Sequence, residues 1–372
     1  MANFLDYLDW RGDLSLQQSP FNEVDALILS ELSYLNLDGI LESDFTPQMD
    51  LKEIAEAYER LEKKPYLAAN DPKPLLLRAA SSRRFSRVKL GGYFSELIPA
   101  RSVQLAALCF FLDDATVCVA YRGTDNSLVG WREDFSFCYQ THTEGQLGAA
   151  AYLERVGAAI SAPLRVCGHS KGGNLAIYAA AFSSLLREGR VLGVYANDAP
   201  GFRPELADTP EIRATLEHSV VVIPESSLIG ILLDTKQEKT IVRSSSYGLN
   251  QHNPYFWQVR GAHFELADSR SAYSLFMDET IRRWIDGLDS EQRASFITAL
   301  FDSLESSGAL TLSELKAAPV ATAGAVLSAV RQMSPEQQHG AFAILKKLAS
   351  AGGGALRVEL RRMLERNPEA KT

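Results

Sequence analysis

The stretch LRVCGHSKGGNLAIYAAAF, residues 164–182, decides the fold. Residues 164–167 are a short apolar, β-prone run, and from Gly173 onward the pattern turns into that of a long apolar helix. Between them Gly168, His169, Ser170, Lys171 and Gly172 form G-x-S-x-G. Between a strand and a helix, small residues on either side of Ser170 allow a strained turn that lifts its hydroxyl clear of the sheet. The N–H of Lys171 then opens a helix whose dipole favours negative charge, which makes it a candidate oxyanion donor. Ser170 is thus the candidate nucleophile, set against the plainer reading of a tight glycine-rich turn with an incidental serine.

Working outward, the neighbouring segments are short β-rich runs. VQLAALCFFL (103–112) and TVCVAY (116–121) are separated by Asp113, Asp114 and Ala115, which reads as a hairpin. RVLGVYAND (190–198), HSVVVIP (218–224) and KTIVRSSS (239–246) follow, with a helical run from about Gly173 to Glu188 before them. Strands interleaved with helices point to a mostly parallel sheet covered on both faces. The first hundred residues read as helices and loops, with Asp50 and Glu53 forming a capping box ahead of LKEIAEAYERL. RAASSRRFSRVK (78–89), rich in Arg and Lys and without an acid, reads as a solvated basic loop. Beyond about residue 272 the pattern is helical. Helix starts fall at Asp289, at Thr311 with Glu314, and at Ser334, Pro335 and Gln337; the glycines at 352–354 then precede a last helix, LRVELRRMLER (356–366). The expected division is 1–287 for the α/β domain with its helical N-terminal segment and 288–372 for a C-terminal helical module.

A serine hydroxyl is a weak nucleophile until a base takes its proton, and the base in turn needs a carboxylate to orient it. His252, in YGLNQHNPYFW after the last strand, is the expected base, with His263 the runner-up; His218 begins a strand and His339 lies in the tail. Asp198 ends the strand RVLGVYAND, 28 residues after Ser170, and is the expected acid. Glu225, after the next strand, is the alternative acid and Asp234 a third choice. A second oxyanion donor should come from the loop AYRGTDNSLVGWREDF (120–135), which follows the strand TVCVAY.

In that loop Arg122, Gly123 and Thr124, followed by Trp131 and Asp134, resemble the RG-[ST] and W-x-x-D pattern of class 3 (fungal-type) lipases. The resemblance implies that Thr124 contributes to the oxyanion hole beside Lys171. GHSKGGNLA resembles GHSLGGALA of the same family, with Lys171 in place of Leu and Asn174 in place of Ala. FLDYLDWRGD, RGTD, GHSKGGNLA, the ND-x-PGF turn at Asp198 and the QH-x-P-x-x-W segment at His252 are similar to those of the bacterial Mbeg1-like family, over about residues 1–270. That likeness implies an α/β-hydrolase fold and a hydrolase, without naming a substrate. The Asp198 turn also resembles the acid position of pancreatic-type lipases, whereas the class 3 position falls near residues 225–227, which hold no Asp.

Composition sets the remaining bounds. The 372 residues carry 38 Lys and Arg against 46 Asp and Glu, a net charge of −8, so no general nucleic-acid binder is expected. The four cysteines form no C-x-x-C, which leaves reduced thiols suited to a cytoplasm and no zinc site. Asp6 and Asp9 stand where a signal peptide would be basic and then apolar, and no apolar run reaches the length of a transmembrane segment. The expectation is a cytoplasmic, cofactor-free serine hydrolase that cleaves a small-molecule or lipid ester through an acyl-enzyme. Its competitors are an inactive hydrolase-fold binding protein and a serine peptidase or acyltransferase. The C-terminal helices are candidates for a protein partner. Trp131, Phe135, Phe137 and Tyr139 within 126–147 read as a lid, an acyl wall or plain core, and LIGILL (228–233) as an acyl-pocket lining. Lys171 and the cations at 83–89 are where an anionic substrate would be met.

Overall fold

The computed structural model describes residues 2–60, 71–233, 237–306, 308–335 and 338. Four helices lead the chain: α1 (Phe4–Arg11), α2 (Glu23–Leu32), α3 (Leu51–Tyr58) and α4 (Lys73–Ser81). Among the described residues one sheet holds eight strands in chain order, β1 (Met49–Asp50), β2 (Lys89–Ile98), β3 (Val103–Phe111), β4 (Val117–Tyr121), β5 (Leu164–His169), β6 (Val191–Asn197), β7 (Ser219–Pro224) and β8 (Thr240–Val242). β1 to β4 pair antiparallel and β4 to β8 pair parallel. The tight turn at 113–115 returns the chain beside itself, while a helical crossover is needed to bring it back parallel. α5 (Leu128–Ser136) and α6 (Glu144–Ala159) join β4 to β5, α7 (Lys171–Phe182) joins β5 to β6, and α8 (Pro204–Ala207) and α9 (Pro210–Glu217) join β6 to β7. This is an α/β-hydrolase fold.

Both faces of the sheet are buried, and the strands divide their side chains by alternation. Leu108, Phe110, Cys118 and Ala120 join one core with α1, α2 and α4; Ala107, Cys109, Val117, Val119 and Tyr121 join the other with α6, α7 and α9. After β8 come two 3-10 turns (Gly248–His252 and Pro254–Phe256), the hairpin of β9 (Val259–Arg260) and β10 (His263–Phe264), and then α10 (Ala272–Asp286).

Two expectations about the N-terminal part are corrected. The first hundred residues hold β2, whose Gly91 and Gly92 and the register shift between Gly91 and Phe94 break the alternation that marks a strand. The basic stretch is not wholly a solvated loop either. Arg84 is buried, its guanidinium pairs with the Asp25 carboxylate on α2 (Nε to Oδ1 2.7 Å), and it also donates to the Ser19 carbonyl at 2.9 Å. The helix after Ser170 ends at Phe182, short of Glu188.

α11 (Ser290–Glu305) and α12 (Leu312–Ala317) open on the expected caps at Asp289 and Thr311, and α13 (Pro319–Arg331) opens at a proline that the sequence reading does not mark. They dock on α5: Ile297, Phe301, Leu304 and Leu315 cluster with Leu128, and the Leu128 N–H donates to the Leu310 carbonyl at 2.9 Å. Gln337, His339, the glycines at 352–354 and the last helix at 356–366 lie outside the described residues, as does Asp234. No helix among the described residues is long and apolar enough to cross a membrane.

Candidate active site

β5 ends at His169 and α7 begins at Lys171, so Ser170 makes the turn alone, with φ +58° and ψ −132°. For a residue with a Cβ that is a strained backbone, held only because its surroundings over-determine it. The Ser170 N–H donates to Asn197 of β6 at 2.9 Å. A Cβ on Gly172 would lie 2.1 Å from the Tyr121 carbonyl oxygen, so strand β4 packs against the turn only because that residue is glycine.

His252 ends the first 3-10 turn after β8, with Nε2 3.0 Å from Ser170 Oγ and Nδ1 2.7 Å from Asp198 Oδ2. A carboxylate only accepts, so Nδ1 carries the proton and Nε2 offers its lone pair to the serine hydroxyl. Asp198 follows β6 and is fully buried; its other oxygen, Oδ1, accepts from Ser227 Oγ at 2.5 Å and from the Gly230 N–H at 3.1 Å. Asn174, the departure from Ala, donates to the carbonyls of Pro200 (3.1 Å) and Gly201 (2.8 Å) and so ties α7 to the turn that carries Asp198.

Glu225 is not paired with His252, whose Nδ1 is taken by Asp198; its carboxylate accepts from the Ser244 N–H at 3.5 Å. His263 lies on β10, exposed and 2.9 Å from Glu23 Oε1, and His218 caps α9 with Nδ1 3.0 Å from the Ala214 carbonyl.

The candidate oxyanion side is the loop after β4. A Cβ on Gly123 would lie 2.5 Å from the His169 carbonyl and 3.2 Å from Ser170 Cβ, so this glycine lets the loop press against the serine and brings Thr124 beside it. The Thr124 hydroxyl bonds to Asp134 on α5, which leaves the backbone N–H of Thr124 as the group available to an oxyanion. Burial pushes the Asp134 carboxyl up to about 7, against the pull of Lys171 and of the Thr124 bond. The N–H of Lys171 is the first of α7 and has no intrahelical partner.

The side chain of Lys171 corrects an expectation. It faces neither solvent nor substrate: Nζ is fully buried, 2.8 Å from Glu133 Oε2, 2.7 Å from the Gln104 carbonyl and 2.6 Å from Gln104 Oε1. LIGILL likewise turns inward, with Leu228 and Ile231 packed on Ile223 and Met277 while Gly230 holds Asp198. Trp131 packs toward α11 and Phe137 is buried, as in the core reading, whereas Phe135 is 43% exposed with its ring 5.6 Å from that of Phe301.

Sequence reasoning assigns nothing to Glu31 or to the imidazole of His169, yet both adjoin the site. His169 stacks on His252 with ring centroids 4.6 Å apart, and Glu31 Oε1 lies 3.3 Å from His169 Nδ1. His169 occupies an unspecified position of G-x-S-x-G, and Glu31 is one acid among several on the N-terminal helices, so no motif marks either. No group of three or more His, Cys, Asp or Glu side chains able to hold a metal ion occurs among the described residues.

A family model described as Mbeg1-like matches residues 79–302, starting and ending later than the motif likeness and taking in most of α11. Solved structures with a similar chain path include the lipase of Rhizomucor miehei in its propeptide complex (16% identity, TM-score 0.40, covering 69% of this chain and 76% of that one). The lipase of Rhizopus microsporus var. chinensis is similar at 13% identity and TM-score 0.39, over 68% of this chain and 81% of that one. Lipase II of Rhizopus niveus is similar at 15% identity and TM-score 0.37, over 68% and 91%. A sequence search of curated proteins found no match.

Proposed function

The chain belongs to the Mbeg1-like family, and from that membership and the geometry around Ser170 we propose that it is a serine hydrolase that cleaves carboxylic esters. The observation that carries the reading is the unbroken line from Ser170 Oγ through both nitrogens of His252 to buried Asp198, at 3.0 and 2.7 Å. In this mechanism His252 Nε2 takes the Ser170 proton as Oγ adds to the ester carbonyl. The N–H groups of Lys171 and Thr124 receive the developing oxyanion, and Asp198 stabilises the imidazolium. Collapse expels the alcohol, protonated by His252, and leaves an acyl group on Ser170. Water, activated by the same imidazole, then releases the acid and restores the serine.

Nucleophile, base, acid and oxyanion donors are all protein groups, so the reaction needs no cofactor. The substrate class is a small-molecule or acyl-lipid ester. Residues 1–287 carry the chemistry, and the described helices beyond them, α11 to α13, buttress it through α5. All four cysteines are free, which fits a reducing compartment such as the cytoplasm.

A fluorophosphonate probe tests the reading. Wild type should label on Ser170, and Ser170→Ala and His252→Ala should not. Folded wild type that stays unlabelled would overturn it and leave a non-catalytic binding role for the fold.

A further inference from the structure

A second imidazole is built into the back of the site. The Nε2 of His169 lies 2.9 Å from the backbone carbonyl of His252, besides the stacking of the two rings at an interplanar angle of 28°. A carbonyl oxygen only accepts, so Nε2 of His169 carries a hydrogen. Burial, with the neighbouring His252, holds His169 well below the usual imidazole range, so it is neutral and its Nδ1 is a bare lone pair. Glu31 Oε1 lies 3.3 Å from that nitrogen and has no hydrogen-bond partner of its own, and both side chains are only 7% exposed. A carboxylate would repel the lone pair, whereas a carboxylic acid can donate to it. Burial pushes Glu31 up to about 8, so the acid form prevails at neutral pH.

We propose that Glu31 and His169 are positioning residues for His252: the protonated acid of Glu31 fixes the tautomer of His169, and His169 in turn clamps the backbone of the turn that presents the base to Ser170. The proposal rests on the reading of Ser170 and His252 as nucleophile and base. Glu31 is well placed for such a task because α2 is rigidly mounted. Asn22 caps it in a capping box with Asp25, and Asp25 is also locked to Arg84. α2 lies across β5, the strand that ends in His169, and precedes the residues matched by the family model. The N-terminal segment thereby completes a site whose other parts lie inside the match.

The arrangement has a proton order that can be reversed. Loss of the Glu31 proton favours the tautomer with hydrogen on His169 Nδ1, and Nε2 then meets the His252 carbonyl with a lone pair, so the clamp opens. The titratable groups around Glu31 are His169 on β5, Tyr34 just after α2 and Tyr255 in the second 3-10 turn. Burial pushes both tyrosines up, so they stay neutral through this range. His169 faces His252 and the ring of Trp257, while His252 also faces Asp198 and feels Asp134.

The test compares full-length wild type with Glu31→Gln and Glu31→Leu, reading fluorophosphonate labelling rate and kcat and KM for p-nitrophenyl butyrate from pH 6 to 9.5. Wild type should lose kcat with an alkaline limb near 8, where Glu31 ionises. Glu31→Gln, a neutral donor at every pH, should keep the neutral-pH kcat and lack that limb. Glu31→Leu, which cannot donate, should lose kcat about 10- to 100-fold at pH 7 with KM little changed. A Leu variant with wild-type kcat, or a Gln variant that keeps the alkaline limb, overturns the positioning role; if the Leu variant fails to fold, the Gln profile decides alone. Wild type that neither labels nor turns over the ester sinks the hydrolase reading and this role with it. Labelled wild type matched by the Leu variant sinks this role only.

Discussion

The ammonium of Lys171, one residue beyond the candidate nucleophile, lies 2.8 Å from Glu133 Oε2, and both side chains are out of solvent. The pair joins the first turn of α7 to α5, so the helix opened by Lys171 is held by a buried contact to the helix that Thr124 bonds to, and these two residues are the candidate oxyanion donors. Removing one partner of a buried pair leaves the other charge uncompensated. Lys171→Met should therefore cost roughly 3–5 kcal/mol of stability, and adding Glu133→Gln should recover part of it. Urea denaturation of the three proteins measures this; a single variant within about 1 kcal/mol of wild type contradicts the account, since an exposed pair is worth no more than that.

The choice of acid makes a kinetic prediction. Asp198→Asn should keep the fold, because Asn can still accept from Ser227 and Gly230, but it leaves His252 without a carboxylate at Nδ1. The expected loss in kcat is about 10⁴-fold, against little change for Glu225→Gln. Ester turnover by the two variants, side by side, decides the matter, and equal losses would reject Asp198 as the acid.

How much of this was legible in the sequence follows from the range of each signal. Ser170 and the strand and helix around it are local, so G-x-S-x-G and its flanks suffice to place them. His252 and Asp198 could be chosen by chain order, because both follow strands whose apolar runs are plain. Lys171 misleads for the opposite reason: its partner Glu133 is 38 residues away, and nothing local says that a lysine beside a nucleophile turns inward. Arg84 and Asp25 fail likewise, 59 residues apart in a stretch that reads as a basic loop. β2 was hidden because its glycines and bulge erase the two-residue period. Glu31 acts only across tertiary space, and no motif reports such a role.

Asp134 gives a pH prediction for stability. In the folded chain its carboxyl is pushed up to about 7, while an unfolded aspartate titrates near ~3.9. The folded state holds the proton more tightly, so this group's contribution is complete below about pH 4 and declines as pH rises to about 7. Asp134→Asn cannot ionise and can still accept from Thr124. The urea midpoint of the variant should rise relative to wild type between pH 4 and 7, and the two curves should run parallel above. A constant difference across that range would show that Asp134 ionises normally.

The C-terminal helices carry the last prediction. α5 bears Glu133, which pairs with Lys171, and Asp134, which bonds to Thr124, while its outer side packs on α11 through Phe301, which is only 2% exposed. Arg132 of α5 adds a contact to Asp302 at 3.0 Å, and Arg293 donates to the Cys138 carbonyl at 3.0 Å just beyond the helix. The described C-terminal helices therefore pack on the element that bonds to Thr124 of the candidate oxyanion loop. Phe301→Ala should cost roughly 3–5 kcal/mol, as large-to-small changes in a core do. Because α5 then shifts against Thr124, kcat should fall about tenfold or more under conditions where the variant is still folded. Val320→Ala, at a side chain that is 58% exposed on α13, serves as the control and should change neither quantity. If Phe301→Ala loses stability in a separate unfolding transition while kcat stays at the wild-type value, the module is an independent appendage and α5 needs no brace.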